Sequence, residues 1–315
     1  MSIKRPMVRR TWWERSATPP SYRLQPRDMD IIRAVFQHRF LRPAHIHALL
    51  GGSEQHLKRR LRFLWQDRYL ERPRSLRPLK VLTEEIVYGL GKKGAQLLQH
   101  LKPELRVAEL DWTETPKKQV GLPYIDHQLG IATFFVALRV ACQEAGIGFK
   151  WGGHFKRRRH RLAVPGTRQV LLPDGYFVLE FPGRGAIHHF LEFDRGNVSL
   201  ERMRERYEGY FRVRKEKDRA PLLRRGKHWD HNIPHFRVIT VTNDEDYLQS
   251  LRRIAREIGR NRAHRRSWRA LMFTHLGAFD LEEPAKLLSP IFRYADSAEP
   301  VSLVPGRALQ AASVS

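Results

Sequence analysis

The chain has 315 residues, 41% of them hydrophobic, enough for a packed core, which excludes a disordered basic protein. Its 58 Lys and Arg residues against 33 Asp and Glu leave a net charge of +25, and the isoelectric point near 10.8 points to a phosphate-bearing partner. Cys142, the one cysteine, excludes an internal disulfide and a cysteine-rich zinc site; with no signal-peptide pattern and no apolar run of about 18 residues, a cytoplasmic protein without a membrane partner is expected.

Residues 1–24 read as a basic flexible arm, with Arg9, Arg10 and Arg15 beside Trp12 and Trp13, and Thr18-Pro19-Pro20 ending any helix. The arm is either a disordered tail or a strap along phosphates whose tryptophans stack on bases or dock on protein. Three helices follow. The first runs from about Asp28 to His38, and the second opens at Arg42-Pro43 and stops at Gly51-Gly52. The third is capped by Ser53 and turns Leu57, Leu61 and Leu64 inward, so Lys58, Arg59 and Arg62 point outward. Tyr69–Arg72 and Ile86–Leu90 then read as a two-stranded ribbon before a helix near Gly94. Three helices and a ribbon over 25–112 make a winged helix-turn-helix, with the third helix entering the major groove of double-stranded DNA.

Residues 113–124 form a linker. Beyond it, Asp126 to about Ala145 is one helix, and strands are expected near Phe149–Trp151, Val170–Leu172, Tyr176–Leu179, His188–Leu191, Phe236–Thr242 and Ala270–Thr274. Helices span about Leu200–Arg214 and Tyr247–Ile258. This is an α/β domain over 125–283, followed by a flexible tail over 284–315; the chain as a whole is α+β.

Three motifs mislead. Gly89-Leu90-Gly91-Lys92-Lys93-Gly94 matches a dinucleotide fingerprint but lies outside a βαβ unit, so it is a turn between ribbon and helix. His45 and His47 sit at i and i+2 of a helix, where they diverge and cannot share a metal. His228, His231 and His235 are either three zinc ligands or a polar loop. His188 and His189 alternate across a strand, so at most one reaches the acids below.

The informative acids are Asp174 in Pro173-Asp174-Gly175 and Glu192 and Asp194 in Leu191-Glu192-Phe193-Asp194-Arg195. In neighbouring antiparallel strands Asp174 and Glu192 lie side by side, and Asp194 shares the face of Glu192. Carboxylates so placed repel unless a cation neutralises them, and Mg²⁺ or Mn²⁺ suits oxygen ligands and phosphodiester cleavage. Alternatively, Asp174-Gly175 is a turn pair and the other two acids pair with arginines.

At these residues the chain resembles the replication-relaxation protein family of plasmids and mobile elements. The resemblance is carried by Leu49-Leu50-Gly51, Arg59-Arg60-Leu61, Tyr88 to Ala95, His127-Gln128-Leu129, Pro173-Asp174-Gly175 and Leu191 to Gly196. It implies a role in plasmid replication and DNA relaxation and a second half similar to the PD-(D/E)xK (restriction-endonuclease-like) nuclease fold. Asp174 and Glu192 then match that fold's metal acids, with Asp174, Glu192 and Asp194 forming the catalytic set. Asp194 stands where the fold has its lysine, and Arg204 or Lys215 is the candidate replacement. Glu144 is a further acid or a solvated one.

Two functions follow. The first is a DNA-binding protein of a plasmid or mobile element that nicks the backbone with Mg²⁺ or Mn²⁺, alongside other replication or mobilisation proteins. The second is a non-catalytic DNA-binding regulator or adaptor whose nuclease domain is degenerate. Phosphate contacts are assigned to Lys58, Arg59 and Arg62, to Lys156, Arg157, Arg158, Arg159 and Arg161, and to Arg252, Arg253, Arg256 and the run from Arg260 to Arg266.

Overall fold

The computed structural model describes residues 14–17, 23–73, 86–103, 105, 121–153, 161–183, 185–217, 236–260 and 268–304. The chain divides into two compact units, Met1–Ile125 and Asp126–Ser315.

The first unit contains α1 (Pro26–His38), α2 (Pro43–Leu50), α3 (Glu54–Gln66), β1 (Leu70–Glu71), β2 (Gly89–Leu90) and α4 (Lys92–Leu101). Local chemistry sets the helix starts. Proline fills the first position of α1 and α2, where its missing N–H costs nothing, and the Ser53 hydroxyl accepts from the N–H of His56 at the head of α3. β1 pairs antiparallel with β2, and an isolated bridge joins Leu41 to Tyr88. Ile31, Ile32, Val35, Leu57, Leu61, Leu64, Leu70 and Leu90 form the core. The order of three helices and a two-stranded ribbon is the expected one; residues 74–85, between the ribbon strands, lie outside the described residues.

The Gly-rich motif is a packing device. Gly91 precedes α4, and a Cβ there would lie 2.4 Å from the Arg68 carbonyl oxygen; one on Gly94 would lie 2.3 Å from that of Tyr69. Only glycine lets α4 sit this close to the β1 backbone.

The second unit begins with α5 (Leu122–Glu144), followed by β3 (Gly148–Trp151), a small hairpin of β4 (Leu162–Ala163) and β5 (Val170–Leu171), β6 (Gly175–Phe181), β7 (Gly185–Asp194), α6 (Leu200–Lys217), β8 (Phe236–Thr242), α7 (Glu245–Arg260), β9 (Leu271–His275), β10 (Phe292–Tyr294) and β11 (Pro300–Val301). The main sheet has seven strands in the order β11-β10-β9-β8-β7-β6-β3. β3, β6 and β7 form an antiparallel meander, and β8 and β9 add parallel to β7. A helix, a three-strand antiparallel meander, a helix and a parallel strand follow one another along the chain.

Each face of the sheet has its own core. Phe134, Phe135, Leu138 and Cys142 of α5 pack on Phe177, Leu191, Phe193, Ile239 and Met272. On the opposite face Tyr207, Tyr210 and Phe211 of α6 and Leu248, Leu251 and Ile254 of α7 pack with Phe190, Val238 and Phe273. Strand alternation divides β7 between them, with Leu191 and Phe193 toward α5 and Phe190, Glu192 and Asp194 toward α6 and α7. By length and composition α5 is apolar enough to cross a membrane, yet 72% of its apolar window is buried, as in a core helix.

Two expectations are corrected. The stretch from 284 to 304 is not a loose tail, because β10 and β11 complete the sheet and Leu287, Leu288, Phe292, Leu303 and Val304 enter the α5-side core. Residues 14–17 are not part of a free arm. Arg15 donates to the carbonyls of Trp65 (2.9 Å) and Leu70 (3.3 Å), pairs with Glu71 at 2.9 Å, and lies over the Trp65 ring. An Arg that satisfies three groups of its own protein is spent on anchoring the chain rather than on phosphate. Trp12 and Trp13 lie outside the described residues.

Candidate functional site

In the first unit, α3 presents its polar side outward. Gln55, His56, Lys58, Arg59 and Arg62 are exposed, while Leu57, Leu61 and Leu64 are fully buried. Lys58 pairs with Glu54 at 2.7 Å, but both side chains are mostly exposed, so the pair is weak and exchangeable. Arg59 lies over the Phe63 ring. Arg60 differs from its neighbours. It is buried, and its guanidinium grips both oxygens of the fully buried Asp28 and donates to the Arg23 carbonyl at 3.2 Å. Asp28 also accepts from the Gln25 N–H at 2.8 Å. This ion pair fixes α3 against α1 and so orients the basic face.

In the second unit, β6 and β7 register Gly175 opposite Leu191, which sets Asp174 beside Glu192 at the strand ends; the Asp174 N–H donates to the Leu191 carbonyl at 2.8 Å. Asp174, Glu192 and Asp194 are all buried. Their oxygens are already engaged. Asp174 accepts from the Phe193 N–H at 2.9 Å and meets His127 Nε2 at 3.2 Å. Glu192 accepts from Arg206 on one oxygen and from the Tyr210 hydroxyl on the other. Asp194 accepts from the Gly196 N–H at 3.0 Å and from the Tyr247 hydroxyl at 2.7 Å. Arg206 also reaches the Leu172 carbonyl at 3.3 Å.

Burial pushes the Glu192 carboxyl up, Arg206 opposes it, and the charge of Asp174 adds to it. Glu192 in turn holds the Arg206 guanidinium well above its usual range, so Arg206 stays charged. Burial and the neighbouring Glu192 raise the Tyr210 hydroxyl, which remains a donor.

Asp174 and Glu192 thus lie together, whereas Asp194 turns to α7 through Tyr247. Among the described residues no three His, Cys, Asp or Glu side chains gather to hold a metal ion. A divalent cation binds through carboxylate oxygens, and here one Glu192 oxygen already holds the charged Arg206 guanidinium while the other accepts from Tyr210; so arranged, Arg206 would repel Mg²⁺ or Mn²⁺ from the pair. Arg204, the expected candidate, pairs with the exposed Glu257. Arg206, two residues on, is the cation that arrives, because its position on α6 faces the sheet with Tyr210 one turn away. The Arg206/Tyr207/Tyr210 spacing was a readable sign of a helix face with polar tips turned to the acids. His127 was a second sign, one turn into α5.

The histidine pairs behave separately. His45 is buried and its Nδ1 accepts from the Arg42 N–H at 3.1 Å, while His47 meets the Gly52 carbonyl at 2.7 Å. His188 Nδ1 meets the Tyr176 hydroxyl at 2.6 Å, and His189 stacks flat on Phe177, so neither contacts the acids. Glu144 is exposed.

The assigned phosphate contacts divide. Lys156, Arg157, Arg158 and Arg159, residues 261–266 and His228, His231 and His235 lie outside the described residues, and of the Lys215 side chain nothing is described. Arg253 is exposed. Arg252 is corrected, while Arg256 stays exposed. Arg252 is buried and donates to the carbonyls of Tyr294 (3.0 and 3.1 Å) and Ser297, and Arg256 donates to the Ala295 carbonyl at 3.0 Å. Both tie α7 to the turn after β10, a segment absent from the sequence expectation.

A family model described as replication-relaxation matches residues 32–222. The chain belongs to the replication-relaxation family. The match runs from within α1 through α4 of the first unit and, in the second, α5 through α6, including the three acids and Arg206. Among solved structures, this replication-relaxation protein is similar to the restriction endonuclease FokI, at 12% identity and a TM-score of 0.28, over 82% of this chain and 42% of that one. The chain therefore spans less than half the length of that endonuclease. No curated protein matches it.

Proposed function

We propose that this replication-relaxation protein binds double-stranded DNA of a plasmid or mobile element through α3, and that its nuclease-like domain serves replication or relaxation without cutting. The observation that carries the DNA reading is the exposed Lys58, Arg59 and Arg62 face of α3, backed by leucines and pinned from beneath by Arg60 and Asp28. A helix so presented in a winged-helix unit, in a chain of net charge +25, has the shape and the sign for the major groove. Non-cutting is favoured by the engaged oxygens of Glu192 and by Asp194 in place of a lysine.

A second reading, nicking that depends on Mg²⁺ or Mn²⁺, is favoured by one observation: the cross-strand placement of Asp174 and Glu192. Two measurements separate the readings. Duplex binding followed by fluorescence anisotropy should weaken steeply as salt rises; salt-insensitive binding would sink the phosphate-grip account. Supercoiled plasmid incubated with protein and Mg²⁺ or Mn²⁺ should stay supercoiled. Nicking that disappears in Asp174→Ala, with binding retained, would establish the second reading.

A further inference from the structure

We propose that Arg206 is a built-in substitute for a divalent cation: its guanidinium neutralises the Asp174–Glu192 pair from within, and removing it uncovers a metal-binding site. This rests on reading the second unit as a nuclease fold that does not cut.

The placement is specific. Asp174 and Glu192 sit side by side across the β6–β7 ladder, and both are buried. Two carboxylates so confined need positive charge close by. Arg206 provides it, with one Nη donating both to Glu192 and to the Leu172 carbonyl, two residues before Asp174. It thus links Glu192 on β7 to the loop that leads into Asp174. The Tyr210 hydroxyl donates to the other Glu192 oxygen, so each oxygen of that carboxylate already has a donor beside it.

Charge and geometry make the exchange unfavourable in the native protein. A hydrated Mg²⁺ or Mn²⁺ would have to shed water, expel a charged guanidinium and leave it without its carboxylate. Arg206 is pre-positioned by α6, whose Tyr207 and Tyr210 are buried in the core. A cation tethered to a packed helix has already lost its freedom on folding, whereas a free ion must lose it on binding. With the arginine gone, two buried carboxylates remain, and one or two carboxylates are the usual protein share of a Mg²⁺ site.

The test is a Mn²⁺ titration of the full chain without DNA, followed by calorimetry and by thermal melting. Wild type should give no binding heat and no shift in Tm at millimolar Mn²⁺. Arg206→Met should bind Mn²⁺ with a millimolar or tighter Kd and gain several degrees in Tm, since a ligand that binds only the folded state stabilises it. Arg206→Met combined with Asp174→Asn should lose both effects. If Arg206→Met folds only when Mn²⁺ is present, the proposal is upheld; if Mn²⁺ does not rescue an unfolded Arg206→Met, it fails. Mn²⁺ binding by wild type equal to that of Arg206→Met, or none by a folded Arg206→Met, would overturn it. Because DNA is left out, a failure of DNA binding leaves this result untouched. Plasmid nicking by wild type bears on the non-cutting reading instead.

Discussion

Arg60 on α3 and Asp28 on α1 form a two-pronged ion pair in the interior of the first unit, directly beneath the basic face that α3 turns outward. An unpaired charge left in that interior is expensive. Asp28→Ala should therefore cost about 3–5 kcal/mol, read as a lower urea midpoint. Replacing both residues by apolar ones of similar volume should recover much of the loss. A drop of only a few tenths in Asp28→Ala would show that the pair is screened by water.

The face above that pair makes a separate prediction. Lys58→Ala, Arg59→Ala and Arg62→Ala should each weaken duplex binding and reduce the slope of log affinity against log salt by about one per phosphate contact removed. Stability should hardly change, because all three side chains are exposed. Anisotropy titrations at several salt concentrations, paired with urea melts, give both quantities. An unchanged slope in all three variants would move the DNA surface elsewhere.

Arg252 and Arg253 are adjacent and chemically identical, and they should behave oppositely. Arg252 serves the Tyr294 and Ser297 carbonyls, whereas Arg253 is exposed. Arg252→Ala should destabilise the protein by about 1–3 kcal/mol, since part-buried carbonyls lose a charged donor, with DNA affinity unchanged. Arg253→Ala should leave the melting curve in place. A weaker DNA complex in Arg252→Ala at full stability would contradict the anchoring role.

Two buried histidines give the fold a pH dependence. Burial lowers His45 from the usual 6.5 to about 3, with Arg42 adding to the effect. Burial also holds His189 well below 6.5, with Arg237 contributing. In both cases the unfolded chain takes the proton more readily, so the stability from neutral histidine is present above pH 6.5 and is lost as pH falls below it. The loss is up to about 1.4 kcal/mol per pH unit for each residue. Urea melts on either side of pH 6.5 should show it, and His189→Phe should flatten part of the slope. A slope unaltered in that variant would remove His189 from the account.

Gly94 tests the packing reading of the Gly-rich motif. Gly94→Ala puts a methyl 2.3 Å from the Tyr69 carbonyl oxygen, where backbone must shift. A cost of about 1–3 kcal/mol is expected, measured as a fall in the urea midpoint; no fall would mean that α4 can retreat freely.

What the sequence disclosed follows from how local each signal is. The leucine period and Ser53 cap of α3, the proline starts of α1 and α2, and the i, i+2 spacing of Glu192 and Asp194 are short-range, and the structure follows them. Arg60 stands in a run of arginines that nothing local distinguishes, and its partner Asp28 lies 32 residues away. Arg206 and Tyr247 reach the acids from helices that follow the strands, so their roles emerge only when the sheet is assembled. β10 and β11 are short and interrupted by Pro and Ser, and they exist because β9 offers an edge to pair with.

That strand order also bears on where this chain can be divided. The family match ends at residue 222, before β8, so a fragment trimmed to it would present β7, a ten-residue strand from the middle of the sheet, as a bare edge. Unpaired backbone along a long apolar strand is a template for self-association. The stretch matched by the family model therefore lacks the strands, β8 to β11, that cover β7 in this protein.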